Sequence, residues 1–141
     1  MGGRLTEEFR ARTKGFAAQV IRLFVKLPKT QEEVRVLGKQ LLRSGTSVAA
    51  HIREASRARS DVEFISNLGG ALQEADETQL WLELLREECG VPAANSVPLE
   101  SEVSELIAID NNDQTNRGKA GKGKADNRKL KNRKLKLGKL K

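Results

Sequence analysis

Apolar side chains recur at every third or fourth position along three long stretches of this chain, and this spacing constrains the fold more than any other feature. Such a period gathers the apolar side chains on one face of an α-helix, whereas strict alternation would indicate a half-buried strand. Aromatic residues make up only 4% of the composition and Tyr is absent, which disfavours a β-sandwich or barrel. The apolar positions of the three stretches are Phe9, Phe16, Val20, Leu23 and Leu27; Val34, Leu37, Leu41, Val48, Ile52 and Ala55; and Ile65, Leu68, Leu72, Ala75, Leu82 and Leu85.

Short signals at the ends of these stretches predict where the first two helices begin and end. Thr6 is a good N-cap residue, and two glutamates follow in the first turn, where the helix dipole favours negative charge. Pro28 ends the first helix, because the residue before a proline is pushed out of the helical conformation. The run from Thr30 to Glu33 has the pattern of a capping box and predicts that the second helix begins at Thr30.

The third helix has signals at both ends, and the fourth is expected to be short. Ser60 and Glu63 form a second capping box, and Gly90 suits the left-handed position that follows the last residue of a helix. The fourth helix is predicted to have Pro98 near its first turn. It is predicted to end at Asp110, where the apolar pattern gives way to Asn and Asp.

Four helices with short connections predict an all-α domain, an antiparallel up-and-down four-helix bundle over residues 1–110. Residues 111–141 differ in composition, because they hold twelve basic and two acidic residues and few bulky apolar side chains. A segment of this kind cannot bury enough apolar surface to fold, so we expect a disordered basic C-terminal tail. Two roles stay open for the tail, non-specific contact with polyanions or a solubilising appendage.

Charge is unevenly distributed within the predicted bundle. Residues 1–60 hold thirteen basic and five acidic residues, whereas residues 61–110 hold one basic and twelve acidic residues. The two halves are therefore able to attract each other within one subunit or between subunits.

The second helix carries a row of cations on the side opposite its apolar face. Arg35 and Arg53 are eighteen residues apart, which is five full turns, so they point the same way. One interpretation is a solvated face, or a face matched to the acidic half of a neighbour. The other is a surface that binds nucleic-acid phosphates. The candidate phosphate contacts are Arg35, Lys39, Arg43, Arg53, Arg57 and, after the helix, Arg59.

No constellation of catalytic residues is visible in the sequence, so we expect no enzyme activity. The single His51 and the single Cys89 are interpreted as helix-surface or packing residues, because no other feature converges on them. A run of Gly and Lys near the end of the chain lacks the spacing of a phosphate-binding loop. No cofactor is therefore expected.

An acidic cluster on the third helix raises the alternative of a carboxylate metal site. The Glu-x-x-His motif of two-metal bundle sites is absent, so no metal is expected. Glu74 and Asp76 are instead expected to accept hydrogen bonds at the edge of the core or to pair with Arg43. The polar positions to which we assign a structural role are Glu54, Glu74, Asp76 and Glu77.

A second apolar stripe runs along the third helix, roughly opposite the first. A helix in a lone bundle needs one buried face, so the second stripe indicates a neighbouring subunit. We expect a homo-oligomer whose interface includes Val62, Leu80, Trp81 and Leu84. No apolar run reaches the ~18 residues of a membrane helix, and the N-terminus lacks a signal-peptide pattern, so a cytoplasmic location without membrane contact is expected.

The chain also has a family resemblance, which is carried by LLRSGTSVAAHIREA at residues 41–55 and ALQEADETQLWLELL at residues 71–85. Two further segments support it, FAAQVIRLFVKLPKT in the first helix and SELIAI in the fourth. In this order, they resemble the small bacterial four-helix bundle proteins that are encoded by intervening sequences in 23S ribosomal RNA genes. The resemblance extends from about Phe9 to Ile109.

The resemblance implies an antiparallel bundle with no established enzyme activity. Members of this family are similar to the accessory variability protein of diversity-generating retroelements, a cyclic homopentamer with a basic surface that binds nucleic acid and a reverse transcriptase. The fourth helix of the family usually continues beyond SELIAI, so the predicted end at Asp110 is a departure that removes cover from one end of the bundle. The residues that match family segments are Arg43, Arg53, Glu54, Glu74, Asp76 and Glu77.

Two hypotheses about function follow. The first is a non-enzymatic oligomeric protein that binds RNA or DNA backbones through basic residues of its first two helices, with the tail as reinforcement. The second is a scaffold that binds only itself or a protein partner such as a reverse transcriptase, in which case the cation row meets an acidic neighbour.

Overall fold

A computed structural model of the chain consists of four α-helices: α1 (Glu7–Lys26), α2 (Glu32–Ser56), α3 (Asp61–Cys89) and α4 (Ala93–Gly121). The structure describes residues 5–121, with side chains through residue 113, and no strand occurs in this range. The predicted all-α class is confirmed. Most of the predicted disordered tail, residues 122–141, lies outside the described residues.

The helices form a ring in chain order, as predicted for an up-and-down bundle. Each helix packs against the next one along the chain, and α1 closes the ring by packing against α4, whereas among the described residues no Cα atoms of diagonal helices lie within 8 Å. Because the connections are short, successive helices run in opposite directions. The start of α1, the end of α2, the start of α3 and the end of α4 therefore lie at one end of the bundle, which we call the basal end.

The centre of the ring is filled by large side chains that the predicted apolar faces supply. Phe16, Leu41 and Leu72 are at most 1% exposed, and burial of one such side chain stabilises the fold by about 1.5–3 kcal/mol. The largest core residue outside the predicted faces is Phe64, which is fully buried, whereas the neighbouring Ile65 of the predicted face is only half-buried.

Two glycines of α2 allow α1 to approach closely. A Cβ atom at Gly45 would lie 2.8 Å and 2.9 Å from the two Cγ atoms of Val20, and one at Gly38 would lie 3.0 Å from Cδ1 of Leu27. A glycine within a helix costs up to ~1 kcal/mol relative to alanine, so close packing is the physical reason for both.

Three of the predicted helix signals, at Thr6, Ser60 and Gly90, are confirmed by hydrogen bonds or backbone angles. The side chain of Thr6 accepts a bond from the Phe9 amide, and that of Ser60 accepts one from the Glu63 amide. Gly90 follows α3 with a φ of 76°, in the left-handed region. The predicted capping box at Thr30 is wrong, because Gln31 occupies the N-cap of α2 and makes no side-chain capping bond.

The predicted extent of the fourth helix is wrong at both ends. The helix begins at Ala93 and includes Pro98, although the apolar pattern starts only at Leu99. Ser96 explains the early start, because its fully buried hydroxyl lies 3.2 Å from the Leu82 carbonyl of α3 and docks the first turn. Asp110 does not end the helix. It occupies an inward-facing position at 3% exposure, and the helix continues to Gly121.

A buried pair of hydroxyl groups connects α2 to α3. The Thr78 hydroxyl donates to the Glu74 carbonyl at 2.7 Å and lies 2.8 Å from Oγ of Ser44. Both residues are fully buried, so these contacts satisfy polar groups that would otherwise destabilise the core.

Within the described residues, no helix has both the length and the apolar composition that a membrane crossing requires.

Replacing Gly45 with alanine is expected to destabilise the bundle by about 1–3 kcal/mol. The added methyl group would overlap Val20, whose branched side chain has little freedom to move. The free energy of unfolding in urea, monitored by circular dichroism, measures this loss.

The matched control is Gly15→Ala, because a Cβ atom at Gly15 meets nothing within 4 Å. This variant is expected to gain roughly 0.5–1 kcal/mol from helix propensity alone. Equal effects at the two positions would contradict the close packing of α1 against α2.

Candidate nucleic-acid interface

An open groove of about 1390 Å³ lies at the basal end of the bundle. Its walls come from the start of α1, the end of α2, the connection that follows and the start of α3. The side chains that make it basic are Arg10 and Lys14 of α1, Arg53 of α2, and Arg57 and Arg59 of the connection.

Helix geometry explains why these cations meet. Arg10 and Lys14 are four residues apart, as are Arg53 and Arg57, so each pair projects from one side of its helix or helix end. The antiparallel packing of α1 on α2 brings the two pairs to the same end. Short side chains line the space between them, including Ala11, Ala49 and Ala50.

The groove also contains three carboxylates, and none of these three forms an ion pair with a groove cation. Glu7 and Glu63 lie in the first turns of α1 and α3, where the helix dipole favours a negative charge. The carboxylate of Glu54 lies 3.1 Å from Nδ1 of His51. In the part of the chain that the structure describes, no carboxylate lies within 4.0 Å of the charged nitrogens of the five groove cations.

Two arginines outside the groove, Arg12 and Arg86, are held by carboxylates of a neighbouring helix. Arg12 of α1 donates to Glu102 of α4 at 2.7 and 2.8 Å and to Glu105 at 3.1 Å, and these bonds raise the pKa of Arg12. Arg86 of α3 donates to Glu100 of α4 at 2.8 and 3.0 Å. These arginines connect helices, whereas the groove arginines do not.

The predicted cation row on α2 is divided among three environments. Arg53 and Arg57 line the groove with Arg59, whereas Arg35 and Lys39 are exposed about 27 Å further along the helix. Arg35 lies 3.7 Å from Glu32 in its own helix. The row therefore does not form one continuous site with the groove.

Arg43, the sixth candidate phosphate contact, pairs with α3 of its own chain. It donates to Glu77 at 2.9 Å and to Glu74 at 3.4 Å, with 53% of its side chain exposed. The expected partner Asp76 is exposed and takes no part in this pair. The reason is helix geometry, because Glu74 and Glu77 share a face and Asp76 points about 200° away from Glu74. The fourth polar position, Glu54, belongs to the groove.

Among the described residues, no three His, Cys, Asp or Glu side chains are arranged to hold a metal ion. Cys89 lies at the opposite end of the bundle beside a small cavity of about 160 Å³. Burial raises the pKa of its thiol, and Glu33 and Glu88 add to that effect.

Two residues of the second apolar stripe of α3 are exposed to solvent, and the other two are half-buried. Val62 and Leu80 are 60% and 46% exposed, in keeping with their place opposite the core. Leu84 is half-buried. Trp81 is half-buried and packs against the core, because it lies about 100° around the helix from Val62 and Leu80.

Two groove residues, Arg10 and Lys14, were not among the named candidate residues, although the first hypothesis assigned binding to basic residues of both α1 and α2. The cation row of α2 follows from the period of one helix, whereas the groove needs two antiparallel helices. Arg10 and Lys14 are four residues apart near the start of α1, and Arg53 and Arg57 are four residues apart near the end of α2. This shared spacing identifies both pairs once α1 and α2 are known to be antiparallel neighbours.

The Arg86–Glu100 contact makes the stability of the bundle depend on pH. The guanidinium of Arg86 lowers the pKa of the Glu100 carboxyl, and the hydroxyl of Ser96 adds to this against the opposing effect of burial. Because the folded pKa lies below the unfolded value, this stabilisation is complete above the unfolded pKa and is lost as the pH falls through the folded pKa.

Glu100→Gln is therefore expected to weaken the pH dependence of the urea midpoint below about pH 4.5 and to lower the midpoint at pH 7. Glu88→Gln removes an exposed carboxylate of α3 and serves as the control. Equal pH profiles for Glu100→Gln and the unmodified chain would argue against the pair.

Comparison with known proteins places this architecture in a family. The model of the 23S rRNA-intervening sequence protein family matches residues 8–112. A crystal structure of a protein of unknown function from the S23 ribosomal protein family of Bacteroides thetaiotaomicron is similar, with 37% sequence identity and a TM-score of 0.65. That match covers 72% of this chain and 94% of the other.

Among curated proteins, no sequence matches this chain significantly. The family match nevertheless includes most of each helix and all five cations of the basic groove. The resemblance predicted from the 41–55 and 71–85 segments is confirmed, and the chain belongs to the 23S rRNA-intervening sequence protein family.

Proposed function

We propose that this chain is a non-enzymatic protein that binds the backbone of RNA or DNA duplexes in its basal groove. The observation that carries the proposal is the set of five cations, from three adjoining parts of the chain, that line one groove without carboxylate partners among the described residues. Arg12, Arg43 and Arg86 are paired across helices, whereas the groove brings several cations together at one place where their charge is available to a ligand.

The chemistry of the groove favours phosphates over bases. Arginine presents a planar fork of donors that matches phosphate oxygens. None of the described residues that line the groove is aromatic, so they offer single-stranded bases no stacking platform. The ligand is therefore a duplex that is recognised by charge and shape, and its affinity depends on the number of phosphates neutralised.

Family membership supports a nucleic-acid setting, since the family is named for an intervening sequence of 23S ribosomal RNA. The resemblance to accessory variability proteins adds assembly as a cyclic homopentamer to the proposal. Five copies of the groove on one assembly would increase its avidity for a long duplex.

A second candidate function is a scaffold that binds copies of itself or a protein such as a reverse transcriptase. The observation that favours it is the set of large apolar side chains that remain exposed on the bundle. They are Ile21, Val25, Val36, Val62, Leu80 and Val97. The proposed self-interface includes Val62 and Leu80, with Trp81 and Leu84 beside them.

Charge neutralisation in the groove tests the first candidate. The double variant Arg53→Gln/Arg57→Gln of the full chain is expected to bind a duplex RNA about tenfold more weakly at ~0.1 M salt, because two phosphate contacts are lost. The slope of log affinity against log salt should fall by about 2, as measured by fluorescence anisotropy.

The matched comparison is Arg35→Gln/Lys39→Gln, which removes two cations from the same side of α2 outside the groove. This variant is expected to change the affinity less than twofold. Equal losses in both variants would assign binding to the whole face of α2, and unchanged affinity in the groove variant would refute the proposal.

The self-interface has its own test. Leu80→Glu places a charge on an exposed apolar position and is expected to reduce the molar mass in light scattering from an oligomer towards a monomer. Gln73→Glu adds the same charge at another exposed position of α3 and is expected to leave the mass unchanged. A monomeric unmodified chain would contradict the interface.

A further inference from the structure

We propose that copies of this chain bind each other through two different faces, with an apolar patch of α1 in one copy against the outward face of α3 in the next. This inference rests on the self-assembly included in the proposed function. It identifies the surface that meets the second apolar stripe of α3. It also makes the contact heterologous, so that each copy offers a different face to each of two neighbours.

The patch on α1 consists of two apolar side chains that the bundle leaves uncovered. Ile21 and Val25 are 45% and 69% exposed, and they are four residues apart, so they lie on one side of the helix. The core is served by a different side of α1, which buries Phe16, Val20 and Leu23. Neighbouring exposed apolar side chains of this kind are typical of a contact surface.

The corresponding patch on α3 faces away from the one on α1. Leu80 is 46% exposed, and Leu84, one turn later, is half-buried. The helices α1 and α3 are diagonal in the ring, and among the described residues no Cα atoms of these two helices lie within 8 Å. One copy therefore cannot cover either patch with the other, whereas two copies can.

Contacts through α2 fix the relative height of α1 and α3. Gly45 of α2 lies against Val20 of α1, because a Cβ atom on Gly45 would lie 2.8 Å from a Cγ atom of Val20. The next residue of α2, Ser44, has its Oγ atom 2.8 Å from the hydroxyl oxygen of Thr78 in α3. Val20 and Thr78 are therefore level, and both helices run away from the basal end.

The two patches match along the axis of the bundle. At 1.5 Å per residue, Ile21 and Leu80 lie about 1.5 Å and 3 Å beyond the level of Val20. By the same count, Val25 and Leu84 lie about 7.5 Å and 9 Å beyond it. A second copy that is shifted sideways, without inversion, therefore brings both residues of one patch to both residues of the other.

The charges beside the two patches are complementary. Arg22 and Lys26 are exposed next to the α1 patch, whereas Asp76 and Glu83 lie four residues before and three residues after Leu80. In the range that the structure describes, none of these four charged groups has an ion-pair partner within 4.0 Å. A parallel neighbour brings the positive side of α1 to the negative side of α3, which favours this orientation.

Glu83 has an environment that its own bundle does not neutralise. Burial raises the pKa of its carboxyl group, and the carboxylates of Glu100 and Glu87 add to this against the opposing effect of Arg86. A cation of a neighbouring copy would stabilise the ionised form of Glu83.

The alternative is a two-fold contact, in which the same face of both copies meets itself. Two α3 faces would bring Asp76 and Glu83 of one copy against the same carboxylates of the other. Two α1 faces would do the same with Arg22 and Lys26. Like charges at a contact are unfavourable, so the pairing of unlike faces is the better arrangement.

The test uses two variants of the full chain, each with one face blocked. Ile21→Glu/Val25→Glu places carboxylates in the α1 patch, and Leu80→Glu places one in the α3 patch. Every heterologous contact needs one intact face of each kind, so each variant alone is expected to be a monomer in light scattering. Gln19→Glu adds a charge at an exposed position about 200° around α1 from Ile21 and is expected to keep the mass of the unmodified chain.

A mixture of the two variants gives the result that discriminates between the arrangements. The intact α1 face of one variant and the intact α3 face of the other form a single contact, so native mass spectrometry is expected to find a 1:1 dimer that contains both. A two-fold contact of like faces cannot give this mixed dimer, because one of the two variants then has no intact face.

Circular dichroism checks that both variants keep their helical content. If the double variant unfolds, Val25→Glu alone takes its place, because Val25 is the most exposed of the large apolar side chains among the described residues.

The outcomes separate this inference from the proposed function. Assembly that the α1 variant retains and Leu80→Glu abolishes would keep the proposed self-interface and overturn the pairing of α1 with α3. Two monomeric variants that form no mixed dimer would also overturn the pairing. A monomeric unmodified chain would overturn both the pairing and the self-interface, whereas duplex binding in the groove is measured independently of these masses.

Discussion

The close contact between α1 and α2 determines the geometry of the whole basic surface. Gly45 brings the α2 backbone against Val20, and Gly38 does the same against Leu27, so the first two helices lie nearer than ordinary side chains allow. From this contact the helices continue to the basal end, where Arg53 lies about 12 Å beyond Gly45. The groove is therefore framed by helices whose separation the core fixes, and its cations are held by a rigid support.

The positions of the carboxylates determine which arginines connect helices and which remain available in the groove. Residues 61–110 hold twelve of the acidic residues, and the helices that they form face α1 and α2 across the bundle. Arg12 and Arg43 lie near these carboxylates and connect neighbouring helices, although such partly exposed pairs contribute only about 0–1 kcal/mol each. Among the described residues the groove cations have no carboxylate partner, since Glu7 and Glu63 lie in the first turns of α1 and α3 and Glu54 contacts His51.

Much of the fold was predictable because it depends on local signals. The caps at Thr6 and Ser60 and the left-handed Gly90 act over three or four residues, so sequence spacing reveals them. The errors share a different cause. The early start of α4 depends on Ser96 docking against α3, and its continuation past Asp110 depends on a position inside the bundle. Such contacts between distant parts of the chain leave no periodic pattern in the segment itself.

The site was only half predictable for the same reason. The sequence alone determined the four-helix architecture, the uneven charge and the common direction of Arg35, Lys39, Arg53 and Arg57, because each follows from helical spacing. Only the tertiary structure decided which of these cations are available together. It paired Arg43 with α3, separated Arg35 and Lys39 from the groove, and added Arg10 and Lys14 from α1. The physical reason is that local periodicity orients a side chain on its own helix, whereas the packing of helices selects its neighbours.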